Sequence, residues 1–152
     1  MKFLRVGIDV GSTTVKIAVY DANDSLIYKD YRRHFSDVKS ALITLIENSR
    51  EKLLNTPFTC AITGSGAMGI AEEVGIPFVQ EVIACTKTVE VKIPQTDVAI
   101  ELGGEDAKIT YFGKTLEQRM NGSCAGGTGA FIDQMATLLK TDASGLNELA
   151  KN

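Results

Sequence analysis

The apolar positions of this chain change period several times, and each change marks an element. Residues 3–10 (FLRVGIDV) form a continuous apolar, β-branched run and predict a buried strand. Gly11, Ser12 and Thr13 supply a turn, after which Val15, Ile17 and Val19 alternate through a second strand ending at Tyr20. Turn residues fill 21–25, and a third strand covers Leu26–Arg33. A Rossmann fold would send its first strand straight into a helix, so this opening β-meander argues for another architecture. The period then becomes helical: Val38, Leu42, Leu45, Ile46 and Leu53 share one face, with Ser36 or Asp37 as the cap. Phe58–Thr63 returns to a strand. Gly64, Ser65 and Gly66 turn it into a short helix that ends near Gly75 and Pro77. A short β-like stretch at 76–79 precedes a helix at 81–92 lined by Val82, Ile83, Thr86 and Val89, with Ile93 just beyond.

After the break at 94–96 the opening pattern starts again. Residues 97–102 predict a strand, Gly103 and Gly104 a turn, 107–112 a second strand and 115–120 a third. A glycine-rich stretch from 122 to 129 leads into a helix with Phe131, Ile132, Met135, Leu138 and Leu139 on one face; a last helix starts at Asp142 or Ser144. The expected organisation is α/β with a mixed sheet: residues 1–95 a first subdomain (βββαβαβα), and 96–152 the beginning of a second, truncated one.

With 44% hydrophobic and 23% charged residues among 152, the chain can bury a core. Its net charge of −3, with no run of Lys or Arg, argues against a nucleic-acid surface. The longest apolar runs are about half of a bilayer span, and no secretory leader is expected because Asp9 interrupts the first one. Cys60, Cys85 and Cys124 are widely spaced and lack a CxxC, which fits a reducing cytoplasm. Cys60 reads as a buried inert thiol and Cys85 as a packing residue on a helix. His34 follows Arg32 and Arg33 at a strand end and reads as a solvated surface residue, so no nucleophilic triad is expected.

Three stretches carry candidate chemistry. In GIDVGSTTVK (7–16), Asp9 ends a buried strand and Gly11, Ser12, Thr13 and Thr14 follow in a turn. Such a turn offers amides and hydroxyls to phosphate oxygens, the carboxylate can hold a hydrated Mg²⁺, and Lys16 adds a cation. The same residues also make an ordinary hairpin. In ELGGEDAK (101–108) the construction recurs: Glu101, a turn at Gly103 and Gly104, then Glu105 and Asp106. Two such turns in a repeated topology could face one Mg²⁺-triphosphate. The third stretch, MNGSCAGGTG (120–129), sets Cys124, Gly126, Gly127, Thr128 and Gly129 at a helix N-terminus. There the free amides and the helix dipole favour an anion or a thiolate.

GIDVGSTTVK, ELGGEDAK and MNGSCAGGTGAFIDQMA, in this order over essentially the whole chain, resemble the motifs of the BadF/BcrA-type ATPases. These include activators of 2-hydroxyacyl-CoA (2-hydroxyglutaryl-CoA) dehydratases. The CAGGTG segment is the most specific. The resemblance implies a duplicated actin/sugar-kinase/Hsp70-like (ribonuclease H-like) ATPase fold binding ATP or ADP with Mg²⁺. It also implies a homodimer sharing a [4Fe–4S] cluster and a dehydratase component as partner, with ATP hydrolysis driving a low-potential electron. On it, Asp9, Gly11, Ser12, Thr13 and Lys16 match the first phosphate loop, and Gly103, Gly104 and Asp106 the second. Cys124 matches a cluster ligand, and Gly126, Gly127 and Gly129 the helix-opening turn. Glu101 stands where many members have Asp. The second cluster cysteine and the adenine site are expected beyond 152, so the chain reads as an N-terminal fragment of a long multi-domain activator-like protein. In that form it is expected to be impaired as an ATPase and to hold no cluster. Asp9, Glu101 and Asp106 are the candidate catalytic carboxylates, with Glu105 also able to orient water. A small-molecule kinase of the same fold and a non-catalytic nucleotide-sensing domain are the alternatives.

Overall fold

The computed structural model describes residues 3–113, 115–121 and 128–151. By its contacts the chain forms two compact units, Met1–Thr88 and Val89–Asn152.

In the first unit, β1 (Leu4–Val10), β2 (Thr14–Tyr20), β3 (Leu26–Arg33) and β4 (Phe58–Thr63) form a sheet in the order β3-β2-β1-β4. The meander pairs antiparallel, whereas β4 returns parallel to β1, with α1 (Val38–Leu53) as the connection. Strand alternation directs Leu4, Val6, Ile8 and Val10, together with Val15, Ile17 and Val19, into one core with Leu45 and Ile62. α1 lays Ala41, Leu45 and Ser49 against that core, and Val38, Leu42 and Leu53 flank them. Ile46, expected on this face, is exposed instead, because the buried stripe is centred one position earlier. Ser49 is tolerated there because its hydroxyl donates to the Ile46 carbonyl at 2.8 Å. Asp37 is the cap, accepting the Ser40 amide. β3 is an edge strand, mostly exposed and carrying Lys29, Arg32 and Arg33, residues that discourage edge-to-edge pairing. α2 (Met68–Val74) stops at Gly75, whose left-handed φ of 69° closes the helix. The β-like stretch at 76–79 reduces to a single parallel bridge between Ile62 and Phe78.

α3 (Glu81–Lys92) spans the division between the units. Of its expected apolar lining only Val89 is buried, while Ile83 and the following Ile93 are exposed. The second unit repeats the meander as β5 (Val98–Leu102), β6 (Ala107–Tyr111) and β7 (Glu117–Met120), all antiparallel. α4 (Gly129–Leu138) and α5 (Ala143–Leu149) follow, α5 starting from an Asp142 cap. The apolar face expected of α4 is largely open: Phe131, Ile132, Leu138 and the adjoining Leu139 are exposed, and Ala136 is the buried residue. The helical period located α4 correctly, but it says nothing of how much surface the neighbouring elements supply. Among the described residues, no helix is long and apolar enough to cross a membrane.

Candidate functional site

The first glycine turn is shaped by the strands it joins. β1 and β2 pair through Val10↔Val15, leaving Gly11, Ser12 and Thr13 to reverse the chain. The Gly11 amide donates to the Thr14 carbonyl at 2.9 Å and so closes the turn. Thr14 itself is buried, so it fixes the turn's base. The amides of Ser12 and Thr13, by contrast, donate to no acceptor among the described residues. Two amides and two hydroxyls in a partly exposed turn are groups that suit an anion.

Register sets the charged groups beside it. Asp9 is the cross-strand neighbour of Lys16 on one side and of Thr63 on the other. The three side chains therefore share one face at the end of the sheet. Lys16 Nζ lies 2.6 Å from Asp9 Oδ2, with both side chains partly exposed. An ion pair so solvated contributes only about 0.2–1 kcal/mol. That is little enough for either partner to be released to a metal ion or a phosphate. The Thr63 hydroxyl is buried and has no hydrogen-bond partner. A buried hydroxyl left this way costs about 1–3 kcal/mol, so Thr63 stands as an unsatisfied donor beside Asp9.

Two further elements hold this turn, and the pattern of the sequence did not assign them to it. Gly64, at φ 109°, lies so close to β1 that an added Cβ would sit 2.2 Å from the Val10 carbonyl oxygen. Gly66 donates its amide to that same oxygen at 2.9 Å. The glycines after β4 thus lock the end of β1 where Asp9 and Gly11 emerge. His34 is the second element, and here the expectation of a solvated histidine is overturned: it is only 8% exposed. Its Nε2 lies 3.2 Å from the Gly11 carbonyl, and its own amide donates to the Thr13 carbonyl. Arg32 and Arg33 belong to the exposed strand edge, but β3 ends one residue before His34 and the chain then folds over the turn. Phe35 and Ser36 follow in left-handed conformations, φ 45° and 69°. For non-glycine residues such conformations cost on the order of 1–3 kcal/mol each and persist only where surrounding contacts impose them. A lone histidine after two arginines carries no signal for this; the paired glycines after a buried strand carry a weak one.

The second turn repeats the first in register. Glu101 pairs with Lys108 across β5 and β6, as Asp9 pairs with Lys16 across β1 and β2. Gly103 donates its amide to the Asp106 carbonyl at 2.8 Å, the counterpart of the Gly11–Thr14 closure. Glu105 and Asp106 are exposed at the turn. The start of α4 corrects one expectation. The amides of Gly129 and Ala130 are not open to an anion, because they donate to the Gly103 and Gly104 carbonyls at 2.8 and 3.0 Å. Gly129 is the residue that permits this, since a Cβ there would lie 3.1 Å from the Gly103 oxygen. Thr128 is buried with its hydroxyl unpartnered. Cys124, Gly126 and Gly127 lie outside the described residues. Cys60 is half-buried, and burial pushes its thiol above the ordinary range, in keeping with an inert cysteine.

The BadF/BadG/BcrA/BcrD ATPase family profile matches residues 6–152. The (R)-2-hydroxyglutaryl-CoA dehydratase activating ATPase of Acidaminococcus fermentans is 29% identical, over 98% of this chain and 58% of that protein. The structure of the activator of the 2-hydroxyisocaproyl-CoA dehydratase from Clostridium difficile, with bound ADPNP, superposes with a TM-score of 0.80 at 26% identity. It is matched over 100% of this chain and 57% of that one. Ethanolamine utilization protein EutJ from Carboxydothermus hydrogenoformans shares the fold, with a TM-score of 0.64 at 16% identity over 98% of this chain and 61% of that one. The chain thus spans less than two thirds of the length of these relatives. The fold is the actin-like α/β ATPase fold that the resemblance of the motifs implied.

Proposed function

The chain belongs to the BadF/BadG/BcrA/BcrD ATPase family, and we propose that it is the ATP-binding and ATP-hydrolysing module of a 2-hydroxyacyl-CoA dehydratase activator. The observation that carries this reading is the first turn, with two open amides beside a weakly paired Asp9–Lys16 couple and an orphaned Thr63 hydroxyl. Those groups fit a phosphate chain and its hydrated Mg²⁺. Bound Mg²⁺ would supply charge neutralisation at the phosphates. Gly11, Ser12 and Thr13 cradle phosphate oxygens, Thr14 holds the turn, and Lys16 moves from Asp9 to a phosphate. Asp9, once released, would hold a hydrated Mg²⁺. The second turn, Gly103 and Gly104, repeats the register of the first, and Glu101, Glu105 and Asp106 are the carboxylates we assign to orienting the attacking water. Water attacks the γ-phosphorus, the bond to the β–γ bridging oxygen breaks, and ADP and phosphate leave.

We assign Gly126, Gly127, Thr128 and Gly129 to nucleotide binding, Gly129 by its closure on the Gly103 carbonyl and not through an open amide, and take the functional division at 95/96, after α3 has ended. In the full-length protein Cys124 would supply a thiolate to a [4Fe–4S] cluster shared in a homodimer, whose chemistry is one-electron transfer to the dehydratase. A reducing, cytoplasmic setting agrees with that role. The test is anaerobic iron and sulfide reconstitution of the full-length gene product with Mg²⁺-ADP, beside its Cys124→Ser variant. A cluster spectrum in the wild type that is lost in the variant supports the electron-transfer role. Nucleotide binding by two colourless proteins sinks it and leaves an ATPase or kinase module.

A further inference from the structure

We propose that His34 is a positioning residue for the first phosphate-binding turn: it aims the Ser12 amide by holding the Gly11 carbonyl behind it, and it anchors the far side of the turn through the Thr13 carbonyl. This rests on reading that turn as a phosphate loop. The argument starts from hydrogen-bond roles. His34 Nδ1 accepts the Ser36 amide at 3.1 Å, so the ring proton sits on Nε2. Nε2–H then donates to the Gly11 carbonyl at 3.2 Å. One residue further round the turn, the His34 backbone amide donates to the Thr13 carbonyl at 3.2 Å.

A trans peptide unit holds its C=O and the next residue's N–H in opposite directions. Drawing the Gly11 carbonyl toward the imidazole therefore turns the Ser12 N–H away from it, and holding the Thr13 carbonyl anchors the far side of the turn. The side chain that fixes the Gly11 plane is itself fixed, because the left-handed Phe35 and Ser36 bring the Ser36 amide back onto Nδ1. Phe35, 83% exposed, gains nothing from the bend by burial. The bend serves the histidine, and the histidine serves the turn. His34 lies behind the loop and is assigned no contact with substrate.

Two substitutions separate its contacts. In His34→Gln the side-chain amide retains the reach of Nε2 toward Gly11. In His34→Asn the side-chain oxygen takes the place of Nδ1 and keeps the Ser36 bond, but the tether to Gly11 is lost. The affinity for Mg²⁺-ADP by calorimetry and the exchange rate of the Gly11 amide by NMR are measured on the full chain. The expected result is binding within about threefold of wild type for Gln. For Asn, binding should be at least tenfold weaker, with Gly11 exchange faster by a similar factor while the melting temperatures of the two variants stay close. Equal binding by Asn and wild type overturns the proposal, as does equal weakening by Asn and Gln. If wild type binds no Mg²⁺-ADP yet Gly11 exchange responds as described, the phosphate-loop reading falls and the positioning role with it. If wild type binds and Gly11 exchange is indifferent to the residue at 34, the positioning role alone falls.

Discussion

Replacing Gly64 by alanine tests the claim that the end of β1 is locked from behind. The perturbation has two parts. A backbone at φ 109° is unfavourable for any L-residue, and left-handed conformations cost about 1–2 kcal/mol. The new Cβ would also lie 2.2, 2.5 and 2.6 Å from the oxygen, carbon and nitrogen of Val10. These are backbone atoms of a strand in the core, so relief requires β1 and β4 to shift apart. Overpacking of that kind costs about 1–3 kcal/mol. Together the substitution should destabilise by about 2–5 kcal/mol, a large share of the roughly 5–15 kcal/mol typical of a domain. Gly75 provides the internal control. It too has a positive φ, 69°, but an added Cβ there meets nothing within 4 Å. Gly75→Ala should therefore cost only the conformational part, about 1 kcal/mol. In urea, with a slope of about 2 kcal/mol/M, the Gly64 variant's midpoint should fall by about 1–2.5 M and the Gly75 variant's by about 0.5 M. If Gly64→Ala shifts the midpoint no further than Gly75→Ala, the close approach of these two strands is wrong.

Leu45→Ala removes a fully buried side chain from the face α1 presents to the sheet, and thermal denaturation should report a loss of about 2–5 kcal/mol; Ile46→Ala, at an exposed position, should lose less than about 1 kcal/mol. The Asp37 carboxylate is held below its ordinary range by the Ser40 amide, so its folded-state value lies under its unfolded one. Its contribution is therefore full above about pH 4 and fades as pH falls through the depressed value, and Asp37→Ala should flatten that part of the stability–pH curve measured in urea; an unchanged slope would remove the cap. Alkylation of Cys60 by iodoacetamide at neutral pH should be slower than that of a small free thiol, because burial disfavours its thiolate, and a rate equal to the free thiol's would contradict the burial.

Much of this fold could be read from the order of its residues, because strand alternation and turn chemistry are local. Val15, Ile17 and Val19 declare β2 without reference to any partner, and Gly11 and Gly103 mark both reversals. The repeat of an acid, a glycine turn and a lysine survives as matching register, Asp9↔Lys16 and Glu101↔Lys108. What could not be read depended on neighbours distant in sequence. His34 is defined by Gly11, and Gly64 by Val10, and neither partner is visible from the local pattern. The Thr63 hydroxyl matters only because parallel pairing sets it beside Asp9. Likewise the amides at the start of α4 looked open until the Gly103 and Gly104 carbonyls were found against them.

The central claim is that Asp9, Lys16 and the Ser12–Thr13 amides form a site for a Mg²⁺-bound triphosphate. The direct test is calorimetric titration of the protein with the non-hydrolysable analogue ADPNP, with and without Mg²⁺, for wild type and Asp9→Asn. The account predicts binding that Mg²⁺ strengthens in the wild type, and a variant in which that strengthening is gone. Equal affinity and equal Mg²⁺ dependence in the two proteins would contradict it.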